Sequence, residues 1–382
     1  MEITTLIGPD QDFAIWAVLF CIAAFGFWCE RFPFGRKYSG VMLLITLAIV
    51  LSNLRIIPSI SPVYDVVWST LVPIAIPLLL FQADLRRVFK EAGATLIAFM
   101  IGSTTVVAGT LIAVSLFDLG PGEPALAGIF TGTYIGGSLN FAAVADATQF
   151  DDKTYLAAMF AADNVITNLH FILLIMLPGI AGFARLFPGS RKGVIDEAGS
   201  DPGKPVHQIE NLDIAGLLAA LALAFALAAI GHLIADMIGK PQYGILVITA
   251  LSLMVATLAP RLMAKLSGFT EAGNVLMFIF LASIGASADI WKLIEIAPIL
   301  FFVALTIVGV HLLLLLPLGR LLKLDLGEIL MGSAVCIGGP SSAPALASAT
   351  GWNHLMIPGI LAGSFGYAIG SFIGMTVVAW LS

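Results

Sequence analysis

The chain predicts an all-α integral membrane protein built from two inverted repeats. Each repeat holds five transmembrane helices and one glycine-broken re-entrant hairpin. Three observations carry the prediction. Hydrophobic residues make up 59% of the 382 residues and charged ones only 11%, a balance that a water-soluble core does not need. Gly136, Gly137 and Ser138 interrupt one apolar segment, and Gly338, Gly339 and Pro340 interrupt another 202 residues later. Each break leads into a run of small residues, ending at Thr148 and Thr350. The third observation is the placing of Lys and Arg, taken up below.

The apolar segments of the first half run over residues 13–29, 40–54, 66–82, 92–117, 125–147 and 155–183. Those of the second half run over 214–237, 243–259, 274–288, 294–318, 329–349 and 355–381. A span needs about 20 residues, so several are at the short end. The halves are 1–183 and 213–382, joined by a polar stretch at 184–212 that reads as a cytoplasmic tether rich in Gly, Pro and charge. Other landmarks recur at nearly the same offset. Gly40 pairs with Gly244, Ala83-Asp84 with Ala288-Asp289, and Gly122-Glu123 with Gly327-Glu328.

Cytoplasmic loops are enriched in Lys and Arg. With the N-terminus outside and all twelve segments crossing, 9 of the 18 basic residues fall inside, which is no bias. With the two glycine-broken segments re-entrant, 14 fall inside and only Arg55, Lys153, Lys240 and Lys292 outside. Five spans per half, an odd number, turn the second half upside down relative to the first. The first residues carry Glu2, Asp10 and Asp12 but no basic residue before the apolar stretch. A cleaved signal peptide would carry one, so the first span is expected to be retained. Cys21, Cys29 and Cys336 lie in or beside apolar segments and read as free thiols.

Irregular backbone at membrane depth is tolerated only inside protein or along a wet cavity. Glycine opens unusual dihedrals there, and Pro340 removes a donor. The freed groups become ligands, with helix N-termini favouring anions and C-terminal carbonyls favouring cations. Inverted halves bring one tip in from each side, to meet near the midplane. Gly136, Gly137, Ser138, Asn140, Gly338, Gly339, Ser341 and Ser342 are therefore candidate substrate ligands. The plainer reading makes these glycines close-packing contacts between helices.

Asp163 is the acid placed deepest in an apolar segment, and such a charge is costly enough to be a functional candidate. Asp163, Thr167 and His170 share one helical face, with Asn164 and Asn168 on an adjacent stripe. Asp163, Asn164, Thr167, Asn140 and Ser342 are the candidate cation ligands, since their oxygens suit Na⁺. Proton coupling through Asp163 is the alternative, and a buried structural Asp the plainer reading. Asn168 and Ser364 join the substrate candidates. Asp146, near the end of its hairpin, ranks below Asp163. Pro73 and Pro77, with Ser69 and Thr70 nearby, mark the third segment as a candidate unwound helix. His232 and His311 read as packing residues. No transition-metal spacing, Walker loop, dinucleotide fingerprint or nucleophile elbow is present. No enzyme activity, cofactor or nucleic-acid partner is expected.

The stretches GTYIGGSLNF, AADNVITNLHF and IGGPSSAPALA resemble the YjcL-like family of bacterial membrane proteins, over nearly the whole chain. More distantly, the two halves with a glycine-pair re-entrant loop before the last span are similar to sodium/glutamate and sodium/citrate symporters. The wider likeness is to bile-acid-type symporters and cation/proton antiporters, whose ion-binding pair Asp163-Asn164 resembles. The resemblance implies a homodimer in the bacterial inner membrane, with a static scaffold and an elevator-like transport domain. By that analogy the first two spans of each half are scaffold. The chain departs from the citrate and glutamate carriers in having no Arg near either tip. The sequence thus points to a cation-coupled secondary transporter of a small organic solute, with Na⁺ as the coupling ion. The alternatives are a Na⁺/H⁺ antiporter without organic substrate and a non-transporting membrane scaffold.

Overall fold

The computed structural model describes residues 5–32, 40–180, 186–187 and 213–382. The tether at 184–212 lies outside the described residues, apart from 186–187. Among the described residues every regular element is helical. The first half contains α1 (Asp12–Cys29), α2 (Gly40–Asn53), α3 (Pro62–Leu80), α4 (Leu85–Glu91), α5 (Gly93–Leu116), α6 (Glu123–Thr133), α7 (Ser138–Ala147) and α8 (Lys153–Met176). The second contains α9 (Ile214–Met237), α10 (Gly244–Leu258), α11 (Phe269–Ala286), α12 (Ile290–Leu321), α13 (Leu326–Gly338), α14 (Ser342–Thr350) and α15 (Met356–Leu381).

Nine of these helices are long and apolar enough to cross a membrane. The shorter α2 has 14 residues, about 21 Å at 1.5 Å per residue. The recurring landmarks of the sequence prove to be helix starts. Asp84 and Asp289 accept backbone N–H bonds as N-caps of α4 and α12, and Glu123 and Glu328 sit in the first turns of α6 and α13. Carboxylates there satisfy orphan donors and oppose the helix dipole.

The third segment is not unwound. It is one continuous helix with a π turn at Val67–Leu71. Pro73 has no N–H to offer the Ser69 carbonyl, and the ladder shifts register, with the Val72 N–H bonding Val67 O. Such bulges recur at functional sites.

The helices pack as two groups. In the first, α1 packs on α2 and α11, α9 packs on α10, and α3 packs on α9, α10 and α11. Phe27 stacks on Phe278 at 4.1 Å between ring centroids, and Trp68 meets Phe280 edge-on at 4.7 Å. In the second group α5 crosses α12, α8 lies along α12, and α6, α7, α13 and α14 gather around α15. Contacts between the groups are sparser, chiefly α8 on α11 and α7 on α10. The third helix of each half, α3 and α11, therefore packs with the first two rather than with the hairpins.

Close helix approach in the second group rests on small residues. A Cβ on Gly109 of α5 would lie 2.7 Å from the Ile307 carbonyl oxygen of α12, whereas Gly309 has nothing within 4 Å. Gly109→Ala is expected to lower stability by about 1–3 kcal/mol through overpacking. Gly309→Ala should be neutral or stabilising, by up to about 1 kcal/mol from helix propensity. Thermal unfolding of the detergent-purified variants checks both.

Candidate functional site

Both broken segments fold back on themselves. At the base of the first hairpin a Cβ on Gly122 would touch the Phe150 ring at 3.0 Å, and higher up one on Gly132 would meet Val144 at the same distance. At the base of the second, Gly327 faces Leu355 and Trp352. The first hairpin is thus α6–α7 and the second α13–α14. Their turns use backbone conformations that need glycine: φ is 129° at Gly136, 104° at Gly137 and 74° at Gly339.

The two tips meet. The Gly136 N–H donates to Cys336 O at 3.0 Å, and the Cys336 thiol donates to Tyr134 O at 3.2 Å. A Cβ on Gly339 would sit 2.7 Å from Gly136 O. Both tips rest on a glycine stripe of α15. Gly363 lies against Pro340, Gly366 against Gly136, Gly370 against Ile135 and Asn140, and Gly374 against Gly128. The helix ends converge accordingly. The C-termini of α6 and α13 bring negative dipole ends, and the N-termini of α7 and α14 bring positive ones. Neither α7 nor α14 has a side-chain cap.

The sequence-predicted ligands divide between this junction and its surroundings. Asp163 is half-buried on α8 and accepts a bond from Thr167 Oγ1 at 2.9 Å. The tip of the second hairpin rests beside it, with a Cβ on Gly338 reaching Thr167 Cγ2 at 3.7 Å and also touching Ser342 Oγ. Ser342 is half-buried and Ser341 exposed, while Ser138 is half-buried at the start of α7. Asn164 and Asn168 donate to backbone carbonyls one turn back, Phe160 O and Asn164 O. Ser364 is buried and donates to Ile360 O of its own helix. Asn140 is buried and uses its carboxamide on backbone, donating to Ile135 O and Gly366 O and accepting from the Ser371 N–H.

Tyr134, which lies in the GTYIGGSLNF stretch just before the first tip, also enters the site. Its buried hydroxyl lies beside the Asp163 carboxyl. Its place two residues before the Gly136 break was the available signal. Trp68, Ser69, Asp146, His232 and Tyr243 instead line a separate cavity of about 840 Å³ at the base of the first hairpin, between the two helix groups. Lys153 holds its ammonium over the Trp68 ring there, 3.6 Å from the centroid.

A polar chain runs from α8 through the second hairpin to α12. Ser333 Oγ lies 3.0 Å from His170 Nε2 and 2.8 Å from His311 Nε2. His311 Nδ1 lies 3.1 Å from Gly102 O and 2.9 Å from Thr105 Oγ1. A carbonyl only accepts, so His311 carries its proton on Nδ1. Its Nε2 then accepts from Ser333, and Ser333 accepts from His170 Nε2–H. All three side chains are buried, and the chain has one direction while both imidazoles are neutral. Ser333→Ala is expected to cost about 1–3 kcal/mol by stranding buried imidazole nitrogens, read as a fall in thermal stability. Nitrogen-labelled histidine spectra should show the Nδ1–H tautomer at His311 and the Nε2–H tautomer at His170.

Comparison with known proteins covers nearly the whole chain. The family described as protein of unknown function DUF819 matches residues 17–382. The "Uncharacterized membrane protein YjcL" of Bacillus subtilis (strain 168) is 32% identical over 395 residues, covering 99% of each chain. With its many apolar helices, this chain is a multi-pass membrane protein and belongs to the DUF819, or YjcL-like, family.

Proposed function

We propose that the protein is a secondary transporter of a small organic solute, driven by a cation, with Na⁺ as the coupling ion. The carrying observation is the meeting of two broken hairpins beside Asp163. A half-buried carboxylate, hydroxyls and freed backbone groups converge there, as a hard cation requires. Tyr134, Thr167 and Ser342 are the side chains nearest to serving it with Asp163, and Asn164 and Asn168 line the same helix. Solute is read at the tips, Gly136–Ser138 and Gly338–Ser342.

The recurrence of the same order of elements in both halves supports an inverted repeat. The sparse seam between the two helix groups supports movement of one against the other, as in an elevator. α7 is buried along nearly its whole length and packs on α3 and α10 of the first group. On α14 and its N-cap, Ser341, Ala345, Ser348 and Ala349 form an exposed stripe of small residues. This asymmetry favours a state open on the side of the second hairpin, which the basic loops mark as cytoplasmic. A homodimer in the bacterial inner membrane belongs to the same reading.

One observation favours the rival Na⁺/H⁺ antiport. The sequences of both hairpins and of α15 contain no Lys or Arg, so nothing cationic on them grips an anionic solute.

A ligand that binds only the folded state raises its stability with concentration. Na⁺, but not K⁺ or choline, should raise the unfolding temperature of the wild type and not of Asp163→Ala, which should also lose Na⁺-dependent uptake. Na⁺-driven proton flux in solute-free proteoliposomes selects the antiporter instead. No ion-specific shift and no flux sinks both in favour of a non-transporting scaffold. In a background lacking Cys21, Ser348→Cys should react with impermeant thiol reagents from the cytoplasmic side and Ala143→Cys should not. Labelling of Ser348→Cys only from the outside would reverse the access state.

A further inference from the structure

The cation site has a counterpart in the other half. Asn140 and Ser342 stand 202 residues apart, at matching positions in the two hairpins, and Asp163 and Gly366 stand 203 apart, in α8 and α15. In the first place the tip of the second hairpin rests on α8 at Thr167, and the buried Tyr134 hydroxyl lies beside the Asp163 carboxyl. In the second place the first hairpin rests on α15, and the space is filled. Asn140 Nδ2 donates to Ile135 O at 3.2 Å and Gly366 O at 3.0 Å, and Oδ1 accepts the Ser371 N–H at 3.1 Å. The two carbonyls only accept and the N–H only donates, so the orientation of the carboxamide is fixed.

Convergent backbone carbonyls are ligands for a hard cation. Here an uncharged –NH₂ group satisfies them. The amide is held tightly on the α15 side, where a Cβ on Gly370 would collide with it. The pocket also lacks a counter-charge, since the counterpart of Asp163 is a glycine, and a bare charge buried without a partner is costly.

We propose that the Asn140 carboxamide is a built-in occupant of a second, pseudo-symmetric cation pocket, and that the protein couples to one cation per cycle, held at Asp163. The inference rests on the transport reading above. Replacing the donor with a carboxylate of the same shape should empty the pocket of its amide and supply the missing charge.

The test is equilibrium binding of radioactive sodium to the detergent-purified protein, counted per chain. Wild type is expected to bind one Na⁺ with a Hill coefficient of one, and Asp163→Ala none. Asn140→Asp should bind two, and the double variant Asp163→Ala/Asn140→Asp one. Two ions on wild type, or one remaining on Asp163→Ala, overturns the proposal while leaving the transport reading in place. So does a monodisperse Asn140→Asp that binds only one. Absence of Na⁺ binding by wild type removes the transport reading and the inference with it. The counts on wild type and Asp163→Ala decide the stoichiometry even where Asn140→Asp fails to fold.

Discussion

Backbone polar groups released by two broken helices must find partners where no water is available, and that constraint organises this molecule. An unsatisfied N–H or C=O in an apolar medium costs several kcal/mol. The hairpin tips answer it by bonding each other, Gly136 N–H to Cys336 O and Cys336 thiol to Tyr134 O. That exchange requires backbone at near-contact distance, which explains glycine at 136, 137 and 339 and the glycine stripe of α15. The site is the by-product: once the tips are fixed together, the helix ends they terminate all point at one place.

The second helix group is held largely by neutral hydrogen bonds. Asn140 ties the first hairpin to the α15 backbone, and Ser333 ties the second to His170 and His311. Among the described residues the ion pairs sit near helix ends instead, Arg87 with Glu91, Lys153 with Asp151 and Lys292 with Asp152. Neutral bonds suit the interior because separating charges from water there can cost more than their attraction returns. They are also directional, so they fix how the hairpins sit without leaving net charge at depth.

Much of this was legible in the chain. Hydropathy marks spans because lipid imposes a length, and glycine pairs mark breaks because no other residue tolerates those dihedrals. Asp163 and Thr167 stand out by helical spacing alone, and the structure joins them by a hydrogen bond. What the chain concealed depends on which helices cross. Ser333, His170 and His311 lie on three separate helices and meet because α8 and α13 both pack on α12. Asn140 reads as a free ligand until α15 lies beside it. Pro73 reads as a helix breaker, yet a register shift to i→i+5 absorbs the missing donor. The grouping of α3 and α11 with the first two helices of each half follows from packing that no local pattern encodes.

The lone carboxylate at the hairpin junction also has an electrical consequence. On the transport reading, a group of helices bearing Asp163 is neutral at that point when a monovalent cation is bound and carries one negative charge when it is empty. Moving one elementary charge across the full membrane potential is worth about 2.3 kcal/mol per 100 mV. In a cell with a negative interior, the loaded form crosses without electrical work at this residue, while the empty form is driven outward. The membrane voltage would then act on the return stroke, resetting the carrier rather than pushing its cargo.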